Sequence, residues 1–240
     1  MNWLQNGAGF VFMLAQDKKV EASFMMKVVE NSIWVGIAAC AALGAFCGYM
    51  LFRRIKQKSF PGVEAEQAFL NDFGECLDHN DFDGALALCD TPALWNRALP
   101  QLATLAVQQR DRPIGKIRQM LMERFERDIM TGLDRLNSWV STSIKTAPQL
   151  GLLGTVLGMI NAFSKIAGAS NSGVEPKELA QDISFALWTT AAGMAISIPL
   201  IVLNSAAQNR INGLQESVDE GLGPLLEDLA AAQQRDREKA

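Results

Sequence analysis

The side chains able to bind an ion or a charge sit in stretches that carry no charge themselves. Thr155 lies near the middle of Thr146–Ser164 (TAPQLGLLGTVLGMINAFS), 19 residues without Asp, Glu, His, Lys or Arg. Thr190, Ser197 and Asn204 recur every seven residues within Ile183–Asn209, which is 27 uncharged residues long. Seven residues is close to two helical turns, so the three share one face. An ion pathway inside a membrane is usually marked by an ionisable residue, and neither stretch supplies one. The polar stripe has two readings on spacing alone. It lines a pore, or its hydroxyls bond the carbonyls of the preceding turn.

The elements that must position these residues follow from length. About 20 mostly apolar residues span a bilayer as a helix. A third uncharged run, Ser32–Phe52, has 21 residues, so three spans are expected, the second and third joined as a hairpin. Small residues at Gly151, Gly154, Gly158, Ala162 and Gly193 would let helix backbones approach closely. Pro148 and Pro199 are tolerated within spans where neighbours re-satisfy the freed carbonyls. Antiparallel packing would bring Thr155 and Thr190 to a similar depth.

Composition narrows the remaining classes. Overall the chain is 49% hydrophobic and 20% charged, a soluble-looking average that hides segregation of the charge into blocks. A net charge of −4 argues against a nucleic-acid partner. A single histidine, His79, and four cysteines without a C-x-x-C pair give no expected metal centre or cofactor. No catalytic constellation is found, so an enzyme is not expected.

Charge distribution sets the expected topology. Arg53, Arg54, Lys56 and Lys58 follow the first span directly, and the positive-inside rule keeps such a cluster in the cytoplasm. The order is then a periplasmic or interfacial segment (1–31), span one (32–52) and a cytoplasmic helical domain (53–137). Span two (138–166), a periplasmic loop (167–182), span three (183–209) and a cytoplasmic C-terminal helix (210–240) complete it. Met1–Ala15 has no Lys or Arg and is read as retained, with spacing that suits an interfacial amphipathic helix.

Outside the spans the periodicity is helical throughout. Phe69, Phe73 and Leu77 share a face within 63–79; 81–89 is a short helix; Thr91-Pro92 reads as a cap followed by proline at the first helical position. From Pro113, apolar residues at 117, 121, 125, 129, 133, 136 and 140 predict one helix from about 113 to 166. Ile211, Leu214, Val218, Leu222, Leu225 and Leu229 extend the third span in the same way, with a bend expected at Pro224. The fold class is therefore an all-α membrane protein, three transmembrane helices with long extensions packed as a cytoplasmic bundle.

Two motifs carry a family resemblance. The run TAP-x-LGLLGTV-x-GM (Thr146–Met159) resembles the signature of the MotA/TolQ/ExbB proton-channel family. A-L-x-T-T-A-x-G followed by I-P (Ala186–Pro199) is similar to the family's last helix. The closest likeness is to the ExbB and TolQ branch, and with D-F-D-G-A-L-A-L-C (Asp81–Cys89) it covers about residues 33 to 222. The resemblance implies five copies surrounding two copies of a single-span partner, ExbD or TolR, whose membrane aspartate faces Thr155 and Thr190. It makes Pro148 and Pro199 structural prolines. It also places the protein in the bacterial inner membrane, with N-terminus periplasmic, as a pore-forming, stator-like subunit of a proton-driven motor. One position departs: where many members have a glutamate five residues before the second threonine, this chain has Phe185. A non-conducting scaffold is the alternative function, and a stand-alone channel is disfavoured because the spans hold no charged filter.

Overall fold

The computed structural model describes the secondary structure of residues 3–168 and 175–239 and the side chains of residues 28–167 and 175–236. Seven α-helices follow one another: α1 (Trp3–Lys58), α2 (Val63–Asp78), α3 (Phe82–Cys89), α4 (Ala98–Gln108), α5 (Ile114–Phe125), α6 (Thr131–Gly168) and α7 (Pro176–Lys239). A π-helical turn, Glu126–Met130, joins α5 to α6. No strand occurs among the described residues. Among the described residues three helical stretches are long and apolar enough to cross a membrane: Val28–Lys58, Ile114–Ala167 and Pro176–Asp236. The interfacial role expected for the first 31 residues rests mainly on side chains outside the described residues. Within the 167–182 connection, helix already resumes at Pro176.

The chain divides into two compact units, one of Met1–Gly44 with Thr142–Ile201 and one of Ala45–Ser141 with Val202–Ala240. The second unit is a helical bundle with a continuous apolar core. Every apolar position picked out by the three-four spacing of α7, from Ile211 to Leu229, is buried there. So are Phe69, Phe73 and Leu77 of α2, and Ile117, Leu121 and Phe125 of α5. Aromatic and cationic groups clamp the edges: Arg97 lies 4.9 Å from the Phe60 ring and Arg110 4.4 Å from Phe82. Lys58 donates to Gln101 at 2.9 Å; burial, then Arg54, holds its ammonium below the ordinary lysine range. All four cysteines are free, and burial pushes the Cys89 thiol up to about 11.

One local expectation is corrected. Thr91 does not cap a helix: its hydroxyl donates back to the Leu88 carbonyl at 3.0 Å, and residues 91–97 form turns closed by Leu94 and Trp95 amides onto the Thr91 carbonyl. The same Thr-Pro chemistry serves a turn as well as a helix start, and α4 begins only at Ala98.

The helix expected from 113 to 166 runs unbroken from Ile114 to Ala167, with the π turn as a local widening inside it. Its core residues Ile117, Leu121, Phe125 and Ile129 are spaced by four, and each such step overshoots a 3.6-residue turn by 0.4 residue. A wider turn absorbs that drift and keeps Ile129 and Leu133 facing the core. Helices α6 and α7 also continue through Pro148, Pro199 and Pro224.

Candidate functional site

The first unit brings three helical segments together. A Cβ added to Gly36 of α1 would meet Leu150 at 3.2 Å, and one at Gly44 would meet Leu200 at 2.7 Å and Ser143 at 3.1 Å. Closer still is the crossing of α6 and α7. A Cβ on Gly151 would stand 2.8 Å from the Thr189 carbonyl oxygen; on Gly158, 2.7 Å from the Ala186 Cβ; on Gly193, 2.6 Å from the Ala147 carbonyl oxygen. The obstacles are mostly backbone, so these glycines set the distance between the helices. Ala162 is buried on the same side of α6.

That close approach places Thr155 and Thr190 side by side. Their hydroxyls hydrogen-bond each other, and Thr190 Oγ1 also donates to the Gly151 carbonyl at 3.0 Å. Thr155 Oγ1 reaches the same carbonyl at 3.3 Å, four residues back on its own helix, and the Ala186 carbonyl at 3.4 Å. Thr155 thus bonds both its own preceding turn and the neighbouring helix. Both threonines are half-buried, so part of each side chain faces away from the hairpin. The two sit beside a backbone carbonyl that already has several donors, and each hydroxyl keeps acceptor capacity.

Other predicted residues lie elsewhere. Ser197 is buried on the packing face of α7. Asn204 is half-buried with its Oδ1 enclosed and without a hydrogen-bond partner among the described residues. It stands fourteen residues from Thr190, about 21 Å along α7 at 1.5 Å per residue. Phe185 is half-buried and meets Trp34 of α1 edge to face, with ring centroids 6.4 Å apart. At this position the chain therefore has an aromatic contact to α1 in place of a carboxylate.

Sequence reasoning overlooked Thr189. It is fully buried and donates to the Ala186 carbonyl at 2.8 Å and the Gly151 carbonyl at 3.4 Å. The signal was present: Ala186, Thr189, Gly193, Ser197 and Leu200 are spaced three and four apart, and all are buried. This row is the buried side of α7, and the seven-residue row meets it at Ser197. Lys165 pairs with Asp182 at 2.7 Å across the hairpin near its connection, and Asn161 links α6 to α1 by donating to Glu30 at 2.5 Å.

The chain is similar in sequence to several known proteins. Over 55 residues the chain is 46% identical to the biopolymer transport protein exbB1 of Vibrio cholerae, covering 23% of this chain and 24% of that protein. It is 32% identical over 87 residues to ExbB of Pseudomonas putida, 36% of this chain and 26% of that one. To the Tol-Pal system protein TolQ of Haemophilus influenzae it is 30% identical over 78 residues, 32% and 33% of the respective lengths. The matches thus span a quarter to a third of these relatives. The profile of the MotA/TolQ/ExbB proton channel family extends over residues 95–220, just over half of the chain, and includes Thr155, Thr190 and the glycines of the α6–α7 crossing. With three helices able to cross a bilayer, this is a membrane protein, and the chain belongs to the MotA/TolQ/ExbB proton channel family.

Proposed function

We propose that the protein is the pore-forming, stator-like subunit of a proton-driven motor complex in the bacterial inner membrane. In this reading five copies enclose two copies of an ExbD- or TolR-like single-span protein bearing a membrane aspartate. The observation that carries it is the Thr155–Thr190 hydroxyl pair, held at one depth by glycine-mediated packing within stretches that carry no Asp, Glu, His, Lys or Arg. A charged carboxylate in such surroundings costs several kcal/mol unless it is solvated or hydrogen-bonded. The hydroxyls, with water, offer that stabilisation at one orientation of the partner helix. Protonation removes the charge and lets the helix pass the apolar wall. Each elementary charge crossing 100 mV releases about 2.3 kcal/mol, enough to bias a step and pass force outward as mechanical work.

The apolar surface supports an assembly. Only 22%, 22% and 28% of the most apolar windows of the three spans are buried within one subunit, so lipid, further copies or a partner must cover the rest. Native mass spectrometry in mild detergent is expected to give a pentamer. Reconstituted with its partner, the pentamer should conduct protons, and replacing the partner's aspartate by asparagine should stop the flux. A stable complex that conducts nothing would favour the scaffold alternative, and a stable monomer or dimer would count against the pore.

Phe185 yields a second expectation. An edge-to-face pair is worth about 0.5–1.5 kcal/mol, and Phe185→Glu exchanges the contact with Trp34 for a carboxylate. The variant should lose thermal stability and gain no flux, while Phe185→Leu should conduct like wild type. Flux that depends on the introduced glutamate would refute this account of the departure.

A further inference from the structure

A cleft of about 580 Å³ opens in the second unit beside the loop after α1, and three cations line it: Lys56, Arg97 and Arg210. Its single carboxylate, Glu66, is engaged by the Ser217 hydroxyl at 2.7 Å. Among the described residues no carboxylate pairs with Lys56 or Arg210 within 4.0 Å. Arg97 is fixed in place, donating to the Ser59 carbonyl at 2.6 Å and the Ala93 carbonyl at 3.0 Å. Ile55, Phe60 and Leu214 supply an apolar wall.

Position decides what this cleft meets. The uncharged runs end at Phe52 and Asn209, so Arg210 is one residue and Lys56 four residues beyond the ends of those runs. At 1.5 Å per residue that is about 1.5 to 6 Å. The headgroup layer occupies roughly 5–8 Å on each side of the hydrocarbon. The Arg210 guanidinium lies 5.5 Å from the Phe52 ring, an apolar–cationic pairing suited to that boundary. Basic pockets between helices at this level suit anionic lipid headgroups.

We propose that this cleft holds the phosphate headgroup of an anionic membrane phospholipid, with Lys56 and Arg210 as the accessible cations and Arg97 as a fixed positive wall. The apolar side receives the first part of an acyl chain. This inference needs only the membrane placement of the spans and is independent of proton conduction.

The test uses the full chain in lipid nanodiscs, with bound lipid read by native mass spectrometry and melting temperature read in parallel. Phosphatidylglycerol should be retained in preference to phosphatidylcholine and should raise the melting temperature. Lys56→Gln and Arg210→Gln, both at exposed positions, should each weaken retention roughly fivefold, the factor matching about 1 kcal/mol per basic residue at an anionic surface. Gly213→Leu separates a shaped site from diffuse attraction. A Cβ there meets nothing within 4 Å, so the side chain should fill the cleft while the charge stays constant, and retention should fall.

Equal retention of both lipids by the wild type would overturn the proposal, as would unchanged retention in the two glutamine variants. A well-folded Gly213→Leu protein that still holds phosphatidylglycerol would reduce it to surface charge. If inorganic phosphate stabilises the protein in phosphatidylcholine discs as much as phosphatidylglycerol does, the ligand is a soluble phosphate and the lipid assignment fails.

Discussion

Gly193→Val is expected to prevent the α6–α7 hairpin from forming, with loss of accumulated protein and of any assembled oligomer. The first added carbon would stand 2.6 Å from the Ala147 carbonyl oxygen and 3.2 Å from both the Ala147 carbonyl carbon and the Pro148 Cα. Real Cβ atoms do not tolerate the first of these distances, and a backbone carbonyl cannot rotate aside like a side chain. Relief requires α6 to move away, which would also separate Gly151 from Thr189 and Thr155 from Thr190.

Two opposing terms set the outcome of the milder Gly193→Ala. Alanine gains about 1 kcal/mol of helix propensity over glycine in water. Overpacking a close-fitting contact costs about 1–3 kcal/mol, and here the contact is with immovable backbone, so destabilisation should win. Gly151→Ala should behave similarly. Gly154→Ala should be comparably severe, since its Cβ would stand 2.7 Å from the Cβ of buried Thr189, which no rotamer change can move. Gly115→Ala, with nothing within 4 Å of its Cβ, serves as the control and should be neutral or slightly stabilising. Melting temperatures in detergent for the four alanine variants check the order. A Gly193→Ala protein as stable as Gly115→Ala would show that the glycines do not set the helix spacing.

How far the sequence disclosed this arrangement depends on which physical term dominates at each place. Long apolar periodicity was legible because burial of many side chains overrides local preference: Ile211 through Leu229 and Phe69 through Leu77 are core residues as their spacing requires. The meeting of Thr155 with Thr190 was legible from antiparallel depth together with the small residues beside them. Local signals with two uses were not. Thr91-Pro92 closes a turn where a helix start was expected, because a short motif carries about the same energy in either setting. The π turn at Glu126–Met130 was implicit in the run of four-residue spacings, a small periodic drift that strict α-periodicity conceals. Thr189 was missed because a hydroxyl can lie on a packing face when a neighbouring carbonyl accepts its proton. The seven-residue repeat drew notice to Thr190, one residue and about 100° away on the helix.

The last expectation concerns what those hydroxyls do. Thr155→Val and Thr190→Val should leave folding and assembly nearly intact yet impair proton-coupled work. Valine has almost the shape of threonine, so the close approach at Gly151 and Gly154 is preserved. The bonds lost within the subunit are the mutual hydroxyl contact and those to the Gly151 and Ala186 carbonyls. A carbonyl in a helix keeps its backbone partner when a side-chain donor is removed, so the folding cost should stay near the low end of about 0.5–1.5 kcal/mol. Function is more exposed to the change. A hydrogen bond to a charged group contributes about 1.5–3 kcal/mol; its loss from a partner carboxylate would slow a rate-limiting step about ten- to a hundred-fold. Serine keeps the hydroxyl and loses a methyl, so Thr155→Ser and Thr190→Ser should give up some stability and retain most flux. Thr189→Val supplies the internal comparison, because Thr189 is fully buried and bonds only backbone carbonyls in the structure. It should affect stability more than flux. Oligomer size, melting temperature and proton flux measured on all five variants with the partner present separate the two roles. If valine and serine give the same flux at both Thr155 and Thr190, the hydroxyls are packing groups and the ion pathway lies elsewhere.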